Sequence, residues 1–295
     1  MNEVLPVRHR HATVEADGVR VFYREAGPAD APVLLLLHGF PSGSHQFRRL
    51  MDVLGDRYRL IAPDYPGFGR TEAPAGFTYT FDRLADVTEA FTDALGLDRY
   101  ALYVFDFGAP VGLRLATRRP DRVTGLIVQN GNAYEEGLSA GAREFIARRR
   151  EVPGDEEAVR DLFTLGGTRF QYEAGLADPT RLDPAAPALD QYFLDLPGRA
   201  DAQADLAFDY RSNVELYPTW QAWLREHRPP ALVLWGVGDP FFTAAGAKAY
   251  LRDLPEAELH LFEDAGHFAL ETHLPELTPP IEAFLAKALA GEARS

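Results

Sequence analysis

The sequence predicts an α/β protein: a mostly parallel, doubly wound sheet with helices on both faces and a helical segment inserted after the sixth strand. Three observations predict it. Short, continuous apolar runs alternate with amphipathic stretches, as strands buried on both faces alternate with crossover helices. The alternation breaks once, from Ala133 to about Ser212, and then resumes. Four of the strand ends carry turn residues together with ionisable ones, at His38-Gly39-Phe40-Pro41, Asp106, Asp239-Pro240 and Gly266-His267. In doubly wound sheets ligands bind beyond the carboxyl ends of the strands.

The elements follow in order. Thr13 to Tyr23 reads as a hairpin, because Asp17-Gly18 separates two alternating segments. Pro32 to Leu37 is a continuous apolar strand. Ser44 to Leu54 has helical spacing, with Phe47, Leu50, Met51 and Leu54 on one face. Tyr58 to Ala62 is a strand that runs into a Pro/Gly-dense loop, Pro63 to Thr71. Phe81 to Leu95 is a helix. Tyr100 to Phe105 is an apolar, aromatic strand, and after a corner at Asp106-Phe107-Gly108-Ala109 an amphipathic helix covers Val111 to Thr117. Val123 to Gln129 is the next strand, ending at Asn130-Gly131-Asn132. The segment 133–212 shows helical stretches, several tyrosines and a Pro/Asp-rich portion, with no strand of the buried type. Helices at Tyr217–His227, Ala244–Leu254 and Glu276–Leu289 then enclose strands at Ala231–Trp235 and Glu258–Phe262. The expected division is a core domain of residues 1–132 and 213–295 and a helical cap of residues 133–212.

Composition narrows the function. The chain has 295 residues, of which 46% are apolar, enough for one large domain with an insertion. A net charge of −14 argues against nucleic acid and anionic membrane as partners. There is no cysteine, which excludes disulfides, thiol nucleophiles and cysteine metal sites. Met1 to Val14 lacks an apolar core of signal-peptide length, and no apolar run is long enough to span a membrane. The expectation is a cytoplasmic protein, monomer or homodimer.

The corner at Asp106 carries the chemical question. A carboxylate that ends a buried strand needs a reason to be there. It either caps the following helix, as Asp does well, or stands as a reactive group on a sharp strand-to-helix turn. The remaining strand ends favour the second. A carboxylate nucleophile needs a base to activate water in a second step, and the base needs an orienting acid. Asp239 and His267 follow Asp106 in that order, each after an apolar strand. Asp264 is a rival orienter, but three residues from His267 on one loop it has trouble reaching the far ring nitrogen. Asn130 is not an acid and cannot take the role. The five serines, Ser42, Ser44, Ser139, Ser212 and Ser295, all lack a Gly-x-Ser-x-Gly context, so a serine nucleophile is not expected. The backbone N–H groups of Phe40 and Phe107 are the expected oxyanion hole, the first freed by Gly39 and the second directly after Asp106. His38 is expected to be a structural hydrogen-bonding residue.

Together these motifs resemble the α/β-hydrolase superfamily, in the branch of epoxide hydrolases and haloalkane dehalogenases. They are His38-Gly39-Phe40-Pro41, Ala62 to Thr71, Asp106-x-Gly108, Gly236-x-x-Asp239-Pro240 and Gly266-His267-Phe268. The resemblance implies an α/β-hydrolase fold with a cap over the active site. It also implies an alkyl ester on Asp106, hydrolysed by water that His267 activates, with no metal or organic cofactor. The substrate would be a small apolar organic molecule, with water as co-substrate. In the family, epoxide opening uses two cap tyrosines as O–H donors to the alkoxide. Tyr210 matches the second by context, while Tyr172, Tyr134 and Tyr192 are candidates for the first. Dehalogenases usually hold the halide with a tryptophan after the nucleophile and a further tryptophan or asparagine. Here those positions carry Phe107 and Phe40, and Trp220, Trp223 and Trp235 lie beyond the cap. The arginine that the fluoroacetate branch expects after the nucleophile is also absent. The expected function is an epoxide hydrolase giving vicinal diols. A haloalkane dehalogenase with an atypical halide site comes second, and a non-catalytic binding protein of the same fold, with Asp106 structural, third.

Overall fold

The computed structural model describes residues 9–290. The expectations for Met1–Val14 and for the ends of the core domain therefore fall partly outside the described residues. An eight-stranded sheet runs through the molecule. Its strands are β1 (His9–Ala16), β2 (Val19–Ala26), β3 (Val33–Leu37), β4 (Arg59–Pro63), β5 (Tyr100–Phe105), β6 (Val123–Gln129), β7 (Ala231–Gly236) and β8 (Glu258–Phe262). Their order is β1-β2-β4-β3-β5-β6-β7-β8. β1 and β2 form the expected hairpin, with Ala16 opposite Val19, and β2 lies antiparallel to β4. All other pairings are parallel.

The apolar runs are continuous because both faces are covered. On β3, Leu35 and Leu37 join the core under α2 (Phe81–Ala94) and α3 (Gly108–Arg118), with Leu84, Val87, Phe91, Val111 and Leu115. Leu34 and Leu36 point the other way, onto Leu50, Met51 and Leu54 of α1 (Arg48–Leu54). Each such leucine contributes about 1.5–3 kcal/mol by leaving water. From β3 the chain steps outward to β4, then crosses back so that β5 lies on β3's other side, with Leu37 paired to Val104. This reversal is the topological switch point, and it opens a crevice at the carboxyl ends of β3 and β5.

The insertion is helical, as expected. It holds α4 (Ala140–Ala147), α5 (Asp155–Arg160), α6 (Leu165–Glu173), α7 (Ala185–Leu194) and α8 (Arg199–Asp209), with no strand among its residues. The chain returns through α9 (Arg211–His227), α10 (Ala244–Asp253), α11 (Ala269–Thr272) and α12 (Leu274–Ala288). α9 begins at Arg211 rather than Tyr217, so the expected boundary at residue 212 falls in its first turn. Pro218 inside the helix, after a mostly polar turn, hid this start. The helix expected over Ser44–Leu54 is a 3-10 turn, Ser44–Phe47, followed by α1. There the Asp64 carboxylate takes the Ser44 N–H at 2.6 Å. No helix among the described residues is long and apolar enough to cross a membrane.

Candidate active site

Asp106 stands at the corner between β5 and α3 with φ of 48°. A non-glycine residue in this left-handed region carries backbone strain of about 1–3 kcal/mol, held only because the surroundings over-determine it. The corner is tight because small residues permit it. A Cβ on Gly108 would lie 2.0 Å from the Leu37 carbonyl oxygen, and one on Gly39 would lie 2.3 Å from the Asp106 Cβ. The main-chain oxygen of Asp106 accepts the Ala109 N–H at 3.0 Å, so backbone serves that amide in the first turn of α3. The carboxylate points elsewhere. Its Oδ1 accepts the Phe40 N–H at 2.7 Å, and the Phe107 N–H also holds it.

His267 follows β8 and is 1% exposed, packed between the rings of Phe105 and Phe241. Its Nδ1 lies 2.6 Å from Asp239 Oδ2, and its Nε2 lies 3.7 Å from Asp106 Oδ2. The first is a short charge-assisted hydrogen bond; the second is too long for one. Asp239 is fixed in turn. Its Oδ1 accepts the N–H groups of Phe241 and Phe242 at 2.8 and 3.0 Å. Burial opposes a proton on His267, but the Asp239 and Asp106 carboxylates outweigh it and raise its pKa above 6.5. Burial raises the pKa of Asp106, against the lowering by His267 and the Phe40 and Phe107 amides.

The structure brings Asp106, Asp239 and His267 together and leaves Asp264 apart. Asp264 is exposed, and its Oδ2 lies 3.3 Å from His273 Nε2. His38 is fully buried and its Nε2 accepts the Tyr65 N–H at 3.2 Å; burial brings its pKa down to about 4. Asn130 has a part that sequence reasoning missed. From the end of β6, with φ of 43°, its Nδ2 donates to Asp239 Oδ2 at 2.7 Å and its Oδ1 accepts the Gly236 N–H at 3.0 Å. It stitches β6 to the loop that carries the acid. The only signal for this was its place at a strand end.

A cavity of about 240 Å³ opens over Asp106, between the sheet edge and the cap. Its lining is mostly apolar, with Phe40, Phe107, Phe145, Ile146, Leu162, Phe163, Phe170, Phe241 and Phe242. The polar lining residues are Asp106, Gln171, Gln203 and Tyr210. This volume is below the ~300–1,000 Å³ of drug-sized sites. No cluster of three or more His, Asp or Glu able to hold a metal ion occurs among the described residues.

Of the candidate tyrosines, only Tyr210 lines the cavity. Its ring lies against Phe81 and Phe107, and its hydroxyl is paired with that of Tyr217. Burial, Tyr217 and the Asp106 charge all raise its pKa. The Tyr172 hydroxyl instead donates to Asp190 Oδ2 at 2.5 Å while its ring stacks on Phe268. The Tyr134 hydroxyl donates to Asp253 Oδ2 at 2.8 Å. Tyr192 is 59% exposed. Helix packing turns these three away from the cavity, which spacing along the chain could not foresee.

The family described as "alpha/beta hydrolase fold" matches residues 32–274 of the chain. An uncharacterized hydrolase of Saccharomyces cerevisiae is 41% identical over 285 residues, covering 94% of this chain and 97% of the yeast protein. Haloalkane dehalogenase 2 of Mycobacterium tuberculosis is 30% identical over 260 residues, covering 83% of this chain and 87% of that protein. Among solved structures, the epoxide hydrolase CorEH superposes with a TM-score of 0.78 at 19% identity, over 95% of this chain and 99% of that one.

Proposed function

Since the chain belongs to the α/β-hydrolase fold family, we propose that it is a hydrolase with an aspartate nucleophile, acting on small epoxides to give vicinal diols. Asp106 Oδ2, the carboxylate oxygen facing His267, attacks an epoxide carbon. A carbon–oxygen bond forms as the ring bond breaks, and the electron pair stays on the leaving alkoxide. Tyr210 donates its proton there. His267 Nε2 then takes a proton from water, which attacks the ester carbonyl of Asp106, and the Phe40 and Phe107 N–H groups hold the oxyanion. Its collapse breaks the ester carbon–oxygen bond and frees the diol and the Asp106 carboxylate. The proton held on His267 offsets the one Tyr210 gave up, which returns to Tyr210 through solvent. Asp239 keeps the imidazole oriented and stabilises its charged form.

The observation that carries this reading is Tyr210, which lines a cavity with Asp106 while the lining includes no tryptophan or asparagine among the described residues. An alkoxide needs an O–H donor, and the phenyl rings of Phe40 and Phe107 have none to offer a halide. A second reading, haloalkane dehalogenation, draws on the similarity to haloalkane dehalogenase 2. Single turnover in ¹⁸O water tests the nucleophile: label should enter the Asp106 carboxylate. Turnover without that label rules the ester mechanism out.

Tyr210→Phe keeps the ring and removes the hydroxyl, together with its hydrogen bond to Tyr217. The expected result is a fall of about 100-fold in kcat/KM for styrene-type epoxides. Unchanged kcat/KM would remove Tyr210 from the mechanism. Halide released from bromoalkanes by an enzyme that forms no diol would put the second reading first.

The ester-hydrolysis step has a pH dependence with a definite sign. The base must be neutral, so hydrolysis quickens as pH rises through the His267 pKa, which the Asp239 carboxylate holds up. Asp239→Asn removes the charge that raises it. Rapid-quench decay of the ester should then show a midpoint at lower pH and a slower plateau.

A further inference from the structure

Tyr210 stands where α8 gives way to α9, and Tyr217 follows about two turns later on α9, so both side chains leave the same face of the helix. Their hydroxyls are paired. Tyr210 lines the cavity; Tyr217 is 2% exposed and stands behind it, outside the lining.

The direction of the hydrogen bond between them is set by a third residue. Asn132 lies just past the end of β6 and is 1% exposed. Its Nδ2 is 2.8 Å from the Tyr134 carbonyl oxygen and 3.1 Å from the Tyr217 hydroxyl. A carbonyl oxygen only accepts, so the NH₂ end of the amide must face it, and the second hydrogen of that NH₂ goes to the Tyr217 oxygen. The orientation holds although it leaves Asn132 Oδ1 buried without a partner. A flipped amide would set two carbonyl oxygens against each other.

A phenol has one proton and two lone pairs. Asn132 fills one lone pair of Tyr217, and among the described residues the Tyr210 hydroxyl is its remaining partner. If Tyr210 donated to Tyr217, the Tyr217 proton would be buried with no acceptor, which folded proteins rarely allow. If Tyr217 donates to Tyr210, its proton is satisfied and the Tyr210 proton is left for the cavity.

We infer that Tyr217 is a positioning residue for ring opening: it donates to Tyr210, leaves the Tyr210 proton to the epoxide oxygen, and holds the phenolate that Tyr210 becomes. The inference rests on the epoxide reading above. The protons balance. The Tyr210 proton passes to the leaving alkoxide, Tyr217 keeps its own in a hydrogen bond to the phenolate oxygen, and Asn132 polarises the Tyr217 O–H from behind. A hydrogen bond to a charged oxygen is stronger than one to a neutral oxygen, so the chain helps most as charge develops.

The test isolates ester formation in a His267→Gln parent, which lacks the base for the second step, with a styrene-type epoxide and rapid quench. Adding Tyr217→Phe should slow ester formation roughly tenfold or more. Adding Tyr210→Phe should slow it further. The two together should be no slower than Tyr210→Phe alone, because Tyr217 then has no donor to serve. A residue that only packed the site would slow the Tyr210→Phe protein as well. Asn132→Asp is the second variant. It keeps the shape and the Tyr217 ring but puts an acceptor where the donor was, so the Tyr217 proton turns away from Tyr210. Ester formation should fall to the Tyr217→Phe level. The parental rate in either variant overturns the inference, and so do losses from Tyr217→Phe and Tyr210→Phe that add. Ester formation at the parental rate in Tyr210→Phe rejects the donor in the epoxide reading and the inference with it. A slow Tyr210→Phe beside an unimpaired Tyr217→Phe rejects the inference alone.

Discussion

Replacement of His267 by glutamine is expected to stop the proposed cycle halfway and leave a stable alkyl ester on Asp106. The attack uses the carboxylate and the Tyr210 proton, so it proceeds without the imidazole. Ester hydrolysis needs a base at the position of Nε2, 3.7 Å from Asp106 Oδ2, and glutamine has none. Steady-state turnover should fall by about 1,000-fold or more, while one equivalent of epoxide is consumed in a burst. Intact-mass spectrometry should show the enzyme heavier by one substrate molecule, and peptide mapping should put the addition on Asp106. Sustained turnover with no adduct would remove His267 from the role of base. Loss of both burst and turnover in a folded protein would assign it an earlier step.

Asp106→Asn is expected to be inactive and more stable than the parent. Loss of the nucleophile should lower kcat by about 10,000-fold or more. Asparagine tolerates φ of 48° better than most residues and offers an acceptor to the Phe40 N–H, so the corner should persist. The stability change follows from the raised pKa of Asp106, whose first cause is burial. With the folded pKa above the unfolded one, the ionised carboxylate costs stability at pH above the folded value. That cost disappears as pH falls below the unfolded value. Removing the charge should therefore raise Tm near neutral pH, by roughly 2–4 °C per kcal/mol relieved. The difference should shrink as pH drops through the carboxylate range, which calorimetry over a pH series would show. A lower Tm at neutral pH would mean that the pairing with His267 outweighs desolvation.

The charge distribution explains why one substitution can act in both directions. The site keeps an ionised group under an apolar roof and tolerates a left-handed backbone at the same residue. Both features cost stability, and in the proposed cycle both serve reactivity, because a poorly solvated carboxylate held on a tight corner is free to attack.

The sequence alone determined the sheet, its hairpin and the helical interruption. Strands buried on both faces must be continuously apolar, a strand pair joined by Asp17-Gly18 must turn back, and helices that cover a sheet repeat their apolar residues at helical spacing. Each of these signals lies within a few residues of the chain. The same local logic picked out Asp106, Asp239 and His267, since each ends a strand and a parallel sheet gathers its strand ends along one edge. Tertiary structure alone decided which groups meet there. It put Asp239 rather than Asp264 on the imidazole, tied Asn130 to Asp239, and left Tyr210 in the cavity while turning Tyr172 to Asp190 and Tyr134 to Asp253. These partners are separated by long stretches of chain, and a single polar side chain on a helix carries no periodicity to say which way it faces. Its direction is set when the cap packs against the core, and that depends on all the residues at the boundary together.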